Sequence, residues 1–212
     1  MSRRPPEHPA LQDRSKATLD RLVAAAEVVL DRDGLDAATV AAVAEEAGMS
    51  VGIVYKRFTD KDGLFRVVFE RFFERAAAIN ADAVAPERWA NHSAATIIDA
   101  LVAGAVRAYS ERRGLLRSLI LFAETHPDPR FKARAEELRS DVFRGIGQLL
   151  LDRRREIGHP DPEHAVPFAL LMLGLALRGV VLDDRRRSFK LAQSERALAG
   201  ELSRLVKGYL SA

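Results

Sequence analysis

Apolar residues recur at spacings of three and four along almost the whole chain. This spacing places them on one face of an α-helix. The strict alternation and the β-branched runs that would indicate a sheet are not found in the sequence. With 212 residues, 48% of them hydrophobic, the chain is long enough for a small domain joined to a medium one. We therefore predict an all-α protein of about nine helices.

Capping residues predict where the N-terminal helices begin and end. The first four predicted helices cover about 15–33, 40–47, 51–58 and 60–78. Gly34 and Gly48 supply the left-handed stops of the first two. Thr39 and Ser50 are predicted N-caps, and the run 59–62 has the form of a capping box.

The remaining helices are predicted from the same signals. They cover about 93–111, 115–125, 129–157, 162–183 and 194–210. Two of them begin at an aspartate followed by proline, Asp128-Pro129 and Asp161-Pro162, where proline suits the first helical position. The stretch around Trp89 is predicted to be a loop, with Trp89 as a lid or a surface plug.

The helix over 162–183 is apolar nearly all round. Its apolar run, 166–182, contains Pro167 and Arg178 and is shorter than the roughly 20 residues that span a bilayer. We therefore predict a buried helix and no membrane partner. A helix that is apolar on every side is well covered in a four-helix dimer interface, and burial within one subunit is the alternative. Small residues at 174, 176 and 179 would permit close helix approach.

Composition excludes some classes of protein. The chain has no cysteine, so disulfides and thiolate metal sites are excluded. The polar, proline-containing N-terminus lacks the apolar segment of a secretory signal, and we expect a cytoplasmic protein. A net charge of +3 and a pI of about 9.4 permit nucleic-acid binding. Acidic and basic residues are nearly balanced over 1–66, so a DNA surface would depend on where the charges lie.

The segment 39–61 predicts a helix-turn-helix. Two short helices joined by a tight turn cross steeply, which requires a small residue at the crossing, and Ala44 supplies it. Gly48 takes the left-handed turn position and Met49 fills the angle. Val54 and Phe58 face inward, toward Val43 and Ala47 of the first helix.

The outer face of the second helix is polar at its N-terminal end. Ser50, Val51, Gly52, Tyr55 and Lys56 lie there, in the part of a recognition helix that meets base edges in the major groove. Glycine within a helix costs about 1 kcal/mol, so Gly52 is a poor choice for stability alone. The alternative is a helical hairpin packed inside a larger bundle.

This run resembles the signature of the TetR family of transcriptional regulators. The matching residues are Ala44, Ala47, Gly48, Met49, Ser50, Gly52, Tyr55, Phe58 and Lys61. The resemblance covers about 15–66. It implies a helix-turn-helix DNA-binding domain over 1–60 and an effector-binding and dimerisation domain over 61–212.

The resemblance also implies individual contacts. Tyr55, Lys61 and Thr39 would contact phosphates, and the helix after Ser50 would enter the groove. The sequence departs from the family at Ile53, where threonine is usual. It also departs at position 57, where an aromatic residue or histidine is common, and Arg57 could restore a phosphate contact there. The predicted DNA-binding residues are therefore Thr39, Ser50, Val51, Gly52, Tyr55, Lys56, Arg57 and Lys61.

Basic residues before the helix-turn-helix are candidates for an arm. Arg3, Arg4, Arg14 and Lys16 could reach the minor groove or neighbouring phosphates. A solvated tail is the alternative for Arg3 and Arg4.

The C-terminal domain is predicted to bind a small, largely apolar ligand. Its candidate lining is Phe72, Leu101, Tyr109, Phe122, Phe143 and Met172. An ordinary core position is the alternative for each of them. We predict a repressor that binds an inverted-repeat operator as a homodimer and is released by the ligand, with no cofactor and no metal.

Two other functions remain open. A helical-bundle enzyme with its active site in the C-terminal domain is the first, but His126, His159 and His164 lie near helix starts and form no ligand pair on a helix. Surface or capping roles are expected for them, and no enzymatic activity. The second is a DNA-binding protein that needs no ligand.

Overall fold

The structure, a computed structural model, describes residues 9–182 and 194–212. All regular elements in this part of the chain are helical, which confirms the predicted fold class. The helices are α1 (Pro9–Ala37), α2 (Val40–Glu46), α3 (Val51–Tyr55), α4 (Lys61–Ala83), α5 (Pro86–Trp89), α6 (Ala94–Glu111), α7 (Arg113–Thr125), α8 (Pro129–Leu151), α9 (Pro162–Leu177) and α10 (Glu195–Leu210). A 3₁₀ turn (Arg154–Glu156) follows α8, and a π turn (Arg178–Leu182) follows α9.

Helix α1 begins earlier than the sequence predicts. It starts at Pro9 rather than near residue 15. Proline is tolerated in a first turn, and neither proline nor glycine interrupts 10–33. The predicted stop is confirmed, because Gly34 has a φ of 77° and a non-helical backbone.

The short helices α2 and α3 begin where their caps predict, whereas the end of α3 and both ends of α4 differ from the prediction. Thr39 accepts a hydrogen bond from Ala42 N at 3.1 Å, and Gly48 has a φ of 59° in the turn. Helix α3 ends at Tyr55 rather than at residue 58, because the chain turns there. Asp60, not residue 59, caps α4 by accepting from Gly63 N at 2.8 Å. Helix α4 then continues to residue 83 instead of 78.

The aspartate–proline starts are confirmed. Asp128 accepts from Arg130 N at 2.9 Å, and Asp161 accepts from His164 N at 3.2 Å. Helix α8 is shorter than predicted, since its last turns give way to the 3₁₀ turn.

The predicted loop around Trp89 contains the short helix α5, which raises the count of α-helices in the described residues to ten. Trp89 is buried, and its indole N–H donates to Ala83 O at 2.7 Å. Trp89 is therefore a core residue and neither a lid nor a surface plug.

The buried residues form two hydrophobic clusters. The first joins α1–α4 to α7 and to the N-terminal half of α8. The second joins α5, α6, the C-terminal end of α8, α9 and α10. Tyr109 packs against both. Because the first cluster extends across position 60, α1–α3 are packed directly on C-terminal helices; the division into 1–60 and 61–212 stays a prediction.

Helix α1 lies very close to the start of α7. A Cβ on Gly114 would lie only 2.0 Å from Asp31 O. The Asp31 carboxylate accepts from Leu115 N at 2.7 Å, and the Ser118 hydroxyl donates to Leu30 O at 3.0 Å. These contacts attach α1 directly to α7.

A buried carboxylate strengthens this connection. Glu27 of α1 has a side chain only 9% exposed and accepts from Arg112 at 2.9 Å. It also pairs with Arg75 of α4. One side chain thus holds three elements together.

Helix α9 is apolar on all sides, as predicted, but it is only partly covered. Phe168, Leu171 and Leu175 are 39%, 56% and 54% exposed. Gly174 faces inward, where a Cβ would lie 3.8 Å from the Phe143 ring. This small residue therefore belongs to packing within the subunit and not to the exposed face.

The predicted bounds of this helix, 162–183, agree closely with the structure. Together with its π turn it spans Pro162–Leu182, 21 residues with a mean hydropathy of 2.1 in its most apolar window. In the described part of the chain it is the one helix long and apolar enough to cross a membrane. The prediction that this helix is too short to span a bilayer was wrong, because it counted the apolar run from residue 166 rather than from the helix start. Only 44% of the window is buried in the fold, so a large part of this apolar helix is open to solvent.

Candidate nucleic-acid interface

The helix-turn-helix is built as the sequence predicts. Val43, Ala44 and Ala47 of α2 are buried against Val54 and Phe58. Small side chains at 44 and 47 allow the steep crossing that the Gly48 turn requires. This packing directs the other side of α3 away from the core.

The outer side of α3 is open to solvent. Val51, Ile53 and Tyr55 are 40%, 38% and 54% exposed, and Lys56 is exposed beside them. Large apolar side chains at a surface otherwise rich in charge suit contact with base edges, such as the thymine methyl group. The predicted exposure is confirmed, and the contact with DNA stays a prediction.

Gly52 has no packing reason to be glycine. A Cβ at this position would meet only Ser50 Oγ at 3.9 Å, and the backbone is ordinary right-handed helix. The glycine nevertheless weakens a five-residue helix. Its one effect is to leave bare backbone on the exposed face of α3.

The two predicted cap residues differ in their hydroxyl groups. Thr39 Oγ1 is engaged as an acceptor at the start of α2. Ser50 has the backbone of an N-cap but forms no side-chain cap bond. The Ser50 hydroxyl therefore does not accept a hydrogen bond from the first turn of α3.

Arg57 and Lys61 are held by other parts of the chain. Arg57 Nη1 donates to Ser15 Oγ of α1 at 2.9 Å. Lys61 is half-buried, donates from Nζ to Leu35 O at 3.2 Å and lies 5.3 Å from the centroid of the Phe65 ring. Both side chains thus bind the chain that follows α3 to α1.

Charge is distributed unevenly around the helix-turn-helix. Many acidic side chains there are paired with arginines: Asp20 with Arg71, Glu27 with Arg75 and Arg112, Asp33 and Glu46 with Arg32, and Asp62 with Arg66. Arg32 lowers the pKa of Asp33 by hydrogen bonding to it. Arg14, Arg21 and Lys56 form no ion pair with the described residues. The near-balanced charge of this segment therefore still leaves unpaired cations.

The predicted ligand-binding residues are divided between the two cores. Phe72 and Phe122 belong to the first cluster, and Leu101 to the second. Phe122 is buried edge-on against Phe65, with ring centroids 6.0 Å apart. Burial between the clusters raises the pKa of Tyr109.

Phe143 and Met172 are half-buried on α8 and α9. Two surface clefts, one between α1 and α4 and one between α6 and α10, are lined by other residues. The assignment of these side chains to a ligand therefore stays a prediction.

Some contacts of the site have no signal in the sequence. Ser15 lies at the predicted helix start, with nothing to indicate that Arg57 binds it. Glu27 occupies a position on an alanine-rich helix, and its burial is set by two distant arginines.

His126 is buried instead of lying on the surface. Its Nδ1 accepts from Asp128 N at 3.0 Å and its Nε2 lies 2.7 Å from Asp62 Oδ1, so it connects α7 and α8 to α4. Only the Asp-Pro sequence that follows hints at a junction here.

The arrangement of α2 and α3, with α3 exposed on a helical C-terminal body, is that of a helix-turn-helix. Residues 22–68 match the family model described as bacterial regulatory proteins, tetR family. Over these residues the chain is similar to the DNA-binding domain of tetR-family regulators. Comparison with curated protein sequences gives no match.

Solved structures share the fold over most of their length. The transcriptional regulator FadR from Bacillus subtilis, in complex with stearoyl-CoA, has a TM-score of 0.68 at 13% identity, over 90% of this chain and 98% of that one. The fatty acid degradation regulator FadR from Bacillus halodurans has a TM-score of 0.65 at 16% identity, over 89% and 97%. A TetR-family regulator from Mesorhizobium loti has a TM-score of 0.65 at 20% identity, over 93% and 97%.

Proposed function

We propose that this protein is a cytoplasmic repressor that binds an inverted-repeat operator as a homodimer and is released by a small, largely apolar ligand. The observation that carries the proposal is the outer face of α3. There Gly52 and the uncapped Ser50 leave backbone and hydroxyl groups open between exposed side chains. Such a face suits the major groove better than a protein core.

Five residues of the DNA-binding head, which comprises α1–α3 and the chain as far as Lys61, have specific roles in this proposal. Tyr55, Thr39 and Lys61 bind phosphates and orient the head, for which Lys61 exchanges its bond to Leu35 O for a phosphate. Val51 and Lys56 face base edges and distinguish between sequences.

The homodimer rests on the exposed face of α9. Phe168, Leu171 and Leu175 lie on one side of that helix, and Leu205 of α10 is 56% exposed. Two copies of this pair of helices would form a four-helix interface that covers the apolar side chains. A two-fold axis there places two α3 helices in the symmetric arrangement that an inverted repeat requires.

The ligand acts by a shift between two shapes of the dimer. If it prefers a shape in which the α3 helices are badly spaced, it weakens operator binding by its differential affinity for the two shapes. The Glu27 and Asp31 contacts of α1 with α4 and α7 support this, because a movement of those helices moves the head with them. The stearoyl-CoA of the Bacillus subtilis regulator has an apolar acyl chain beside a charged CoA group, and it is a first probe for a titration.

Selection of bound duplexes from a random pool tests the operator. We expect an enriched inverted repeat, which reports sequence readout and two-fold symmetry together. An enriched sequence without two-fold symmetry would contradict the proposed homodimer. A pool in which no sequence is enriched would contradict binding to a specific operator.

Single substitutions test the docking of α3. We expect Tyr55→Ala to weaken binding to all duplexes alike, because it removes a phosphate contact. Val51→Ala and Lys56→Ala should instead change the preferred sequence. Unchanged affinity and preference in all three variants would show that α3 does not face DNA.

A further inference from the structure

We propose that α1 contributes a second DNA contact, a stripe formed by Arg14 and Arg21 that binds backbone phosphates, and that Arg57 positions this stripe through Ser15. The inference rests on the proposed function, since it adds residues outside the helix-turn-helix to the same DNA surface. Its partner is the phosphate backbone of duplex DNA.

Arg14 and Arg21 lie on the same face of α1. They are seven residues apart, with Thr18 between them, and the Thr18 hydroxyl donates to Arg14 O at 2.9 Å. Seven residues of helical rise separate their Cα atoms by about 10.5 Å along the axis. Duplex DNA carries one charge per about 1.7 Å of its axis, so both guanidinium groups can meet a phosphate at once.

This face lies beside the turn that precedes the recognition helix. A Cβ added at Gly48 would lie 2.9 Å from Arg21 Nη2, so the guanidinium group lies over the turn between α2 and α3. The stripe therefore lies next to the N-terminal end of α3, which is the end that enters the groove in the proposed function.

The other charges of α1 face elsewhere. Asp20 is paired with Arg71 of α4, and Lys16 lines the cleft between α1 and α4 together with Asp20. Helical spacing places Asp13 on that α4 side as well. Neither aspartate neutralises the stripe, and Lys16 is not part of it.

Arg57 connects the stripe to the recognition helix. It lies two residues after the end of α3, and its bond to Ser15 joins two segments 42 residues apart in the chain. Ser15 is adjacent to Arg14, so this bond links the second turn of α1 to the chain just after α3. A guanidinium group has several N–H donors but here acts on DNA through α1, as a positioning group.

The test is the salt dependence of binding to a fluorescein-labelled, mixed-sequence duplex of about 30 base pairs. The logarithm of the binding constant falls with that of the salt concentration, with a slope of about −0.9 per neutralised phosphate. We expect Arg14→Ala and Arg21→Ala each to reduce this slope by about one. Arg204→Ala, an exposed arginine on α10 that removes the same charge far from α3, is the control and should leave it unchanged.

Ser15→Ala separates positioning from direct contact, because it removes no charge. We expect it to weaken binding several-fold and to reduce the slope, while Ser15→Thr, which keeps the hydroxyl, restores both. Circular dichroism should show the same helix content in all variants, since Ser15 is exposed.

Three outcomes overturn the inference. Slopes of Arg14→Ala and Arg21→Ala equal to that of Arg204→Ala would show that α1 does not contact DNA. Wild-type binding by Ser15→Ala beside a loss in Arg57→Ala would show that Arg57 contacts phosphate itself. A wild-type protein that binds no duplex at any salt concentration would overturn the proposed function and the stripe with it, whereas the first two leave that function intact.

Discussion

At the scale of single residues, Gly52 shows a conflict between stability and binding. Its position has room for a methyl group and an ordinary helical backbone, so alanine there adds helix propensity without a clash. We expect Gly52→Ala to raise the free energy of unfolding by about 0.5–1 kcal/mol and to weaken DNA binding, because the methyl group keeps the backbone of α3 from the duplex. Urea denaturation and fluorescence anisotropy measure the two effects.

Gly48→Ala is the matched control. Its φ of 59° and the guanidinium group of Arg21 both oppose a side chain, so we expect this variant to lose stability. A Gly52→Ala protein that binds DNA as well as the wild type would show that the bare backbone has no role in recognition.

At the scale of elements, we expect the exposed face of α9 to determine the oligomeric state. We expect the wild-type protein to sediment at about twice the chain mass of 23.4 kDa. Leu171→Gln with Leu175→Gln should yield the monomer, because these two side chains are more than half exposed and would be covered in the dimer. Analytical ultracentrifugation distinguishes the two masses.

The control for α9 is Ile79→Gln on α4. Ile79 is 69% exposed, and its replacement should leave the mass of the dimer unchanged. If the wild-type protein sediments as a single chain, the homodimer is wrong and α9 must be covered in another way.

At the scale of the whole molecule, carboxylates that connect distant helices determine acid stability. Lys207 of α10 hydrogen-bonds Asp99 of α6 at 2.9 Å and lowers its pKa. Arg178 of the π turn lowers the pKa of Glu124 on α7 in the same way. A carboxyl group with a lowered pKa stabilises the fold above its unfolded pKa of about 4, and this contribution is lost as the pH falls through the lowered value.

We therefore expect the free energy of unfolding to fall as the pH is lowered below about 4, as measured by urea denaturation at a series of pH values. Lys207→Met should make this dependence shallower, because Asp99 then returns toward its ordinary pKa. The change should be small, since the pair is partly exposed. An equal or steeper pH dependence in the variant would contradict the role of this pair.

Much of the helix-turn-helix could be predicted because its signals are local. The turn glycine Gly48, the Thr39 cap and the inward residues Val54 and Phe58 depend on φ angles, near backbone donors and helical period. All of these act within a few residues of chain. The helix ends were less well predicted, as at α1 and α4, because ends depend on neighbours as well as on caps.

By itself, then, the sequence determined the all-α fold, the cap positions and the outward side of α3, since helical hydrogen bonds and apolar periodicity are properties of neighbouring residues. Tertiary structure alone decided that Arg57 reaches Ser15, that Glu27 and His126 are buried with distant partners, and that Gly114 lies against Asp31. These contacts join residues far apart in the chain. Their distances depend on how whole helices pack, and no local pattern encodes that packing.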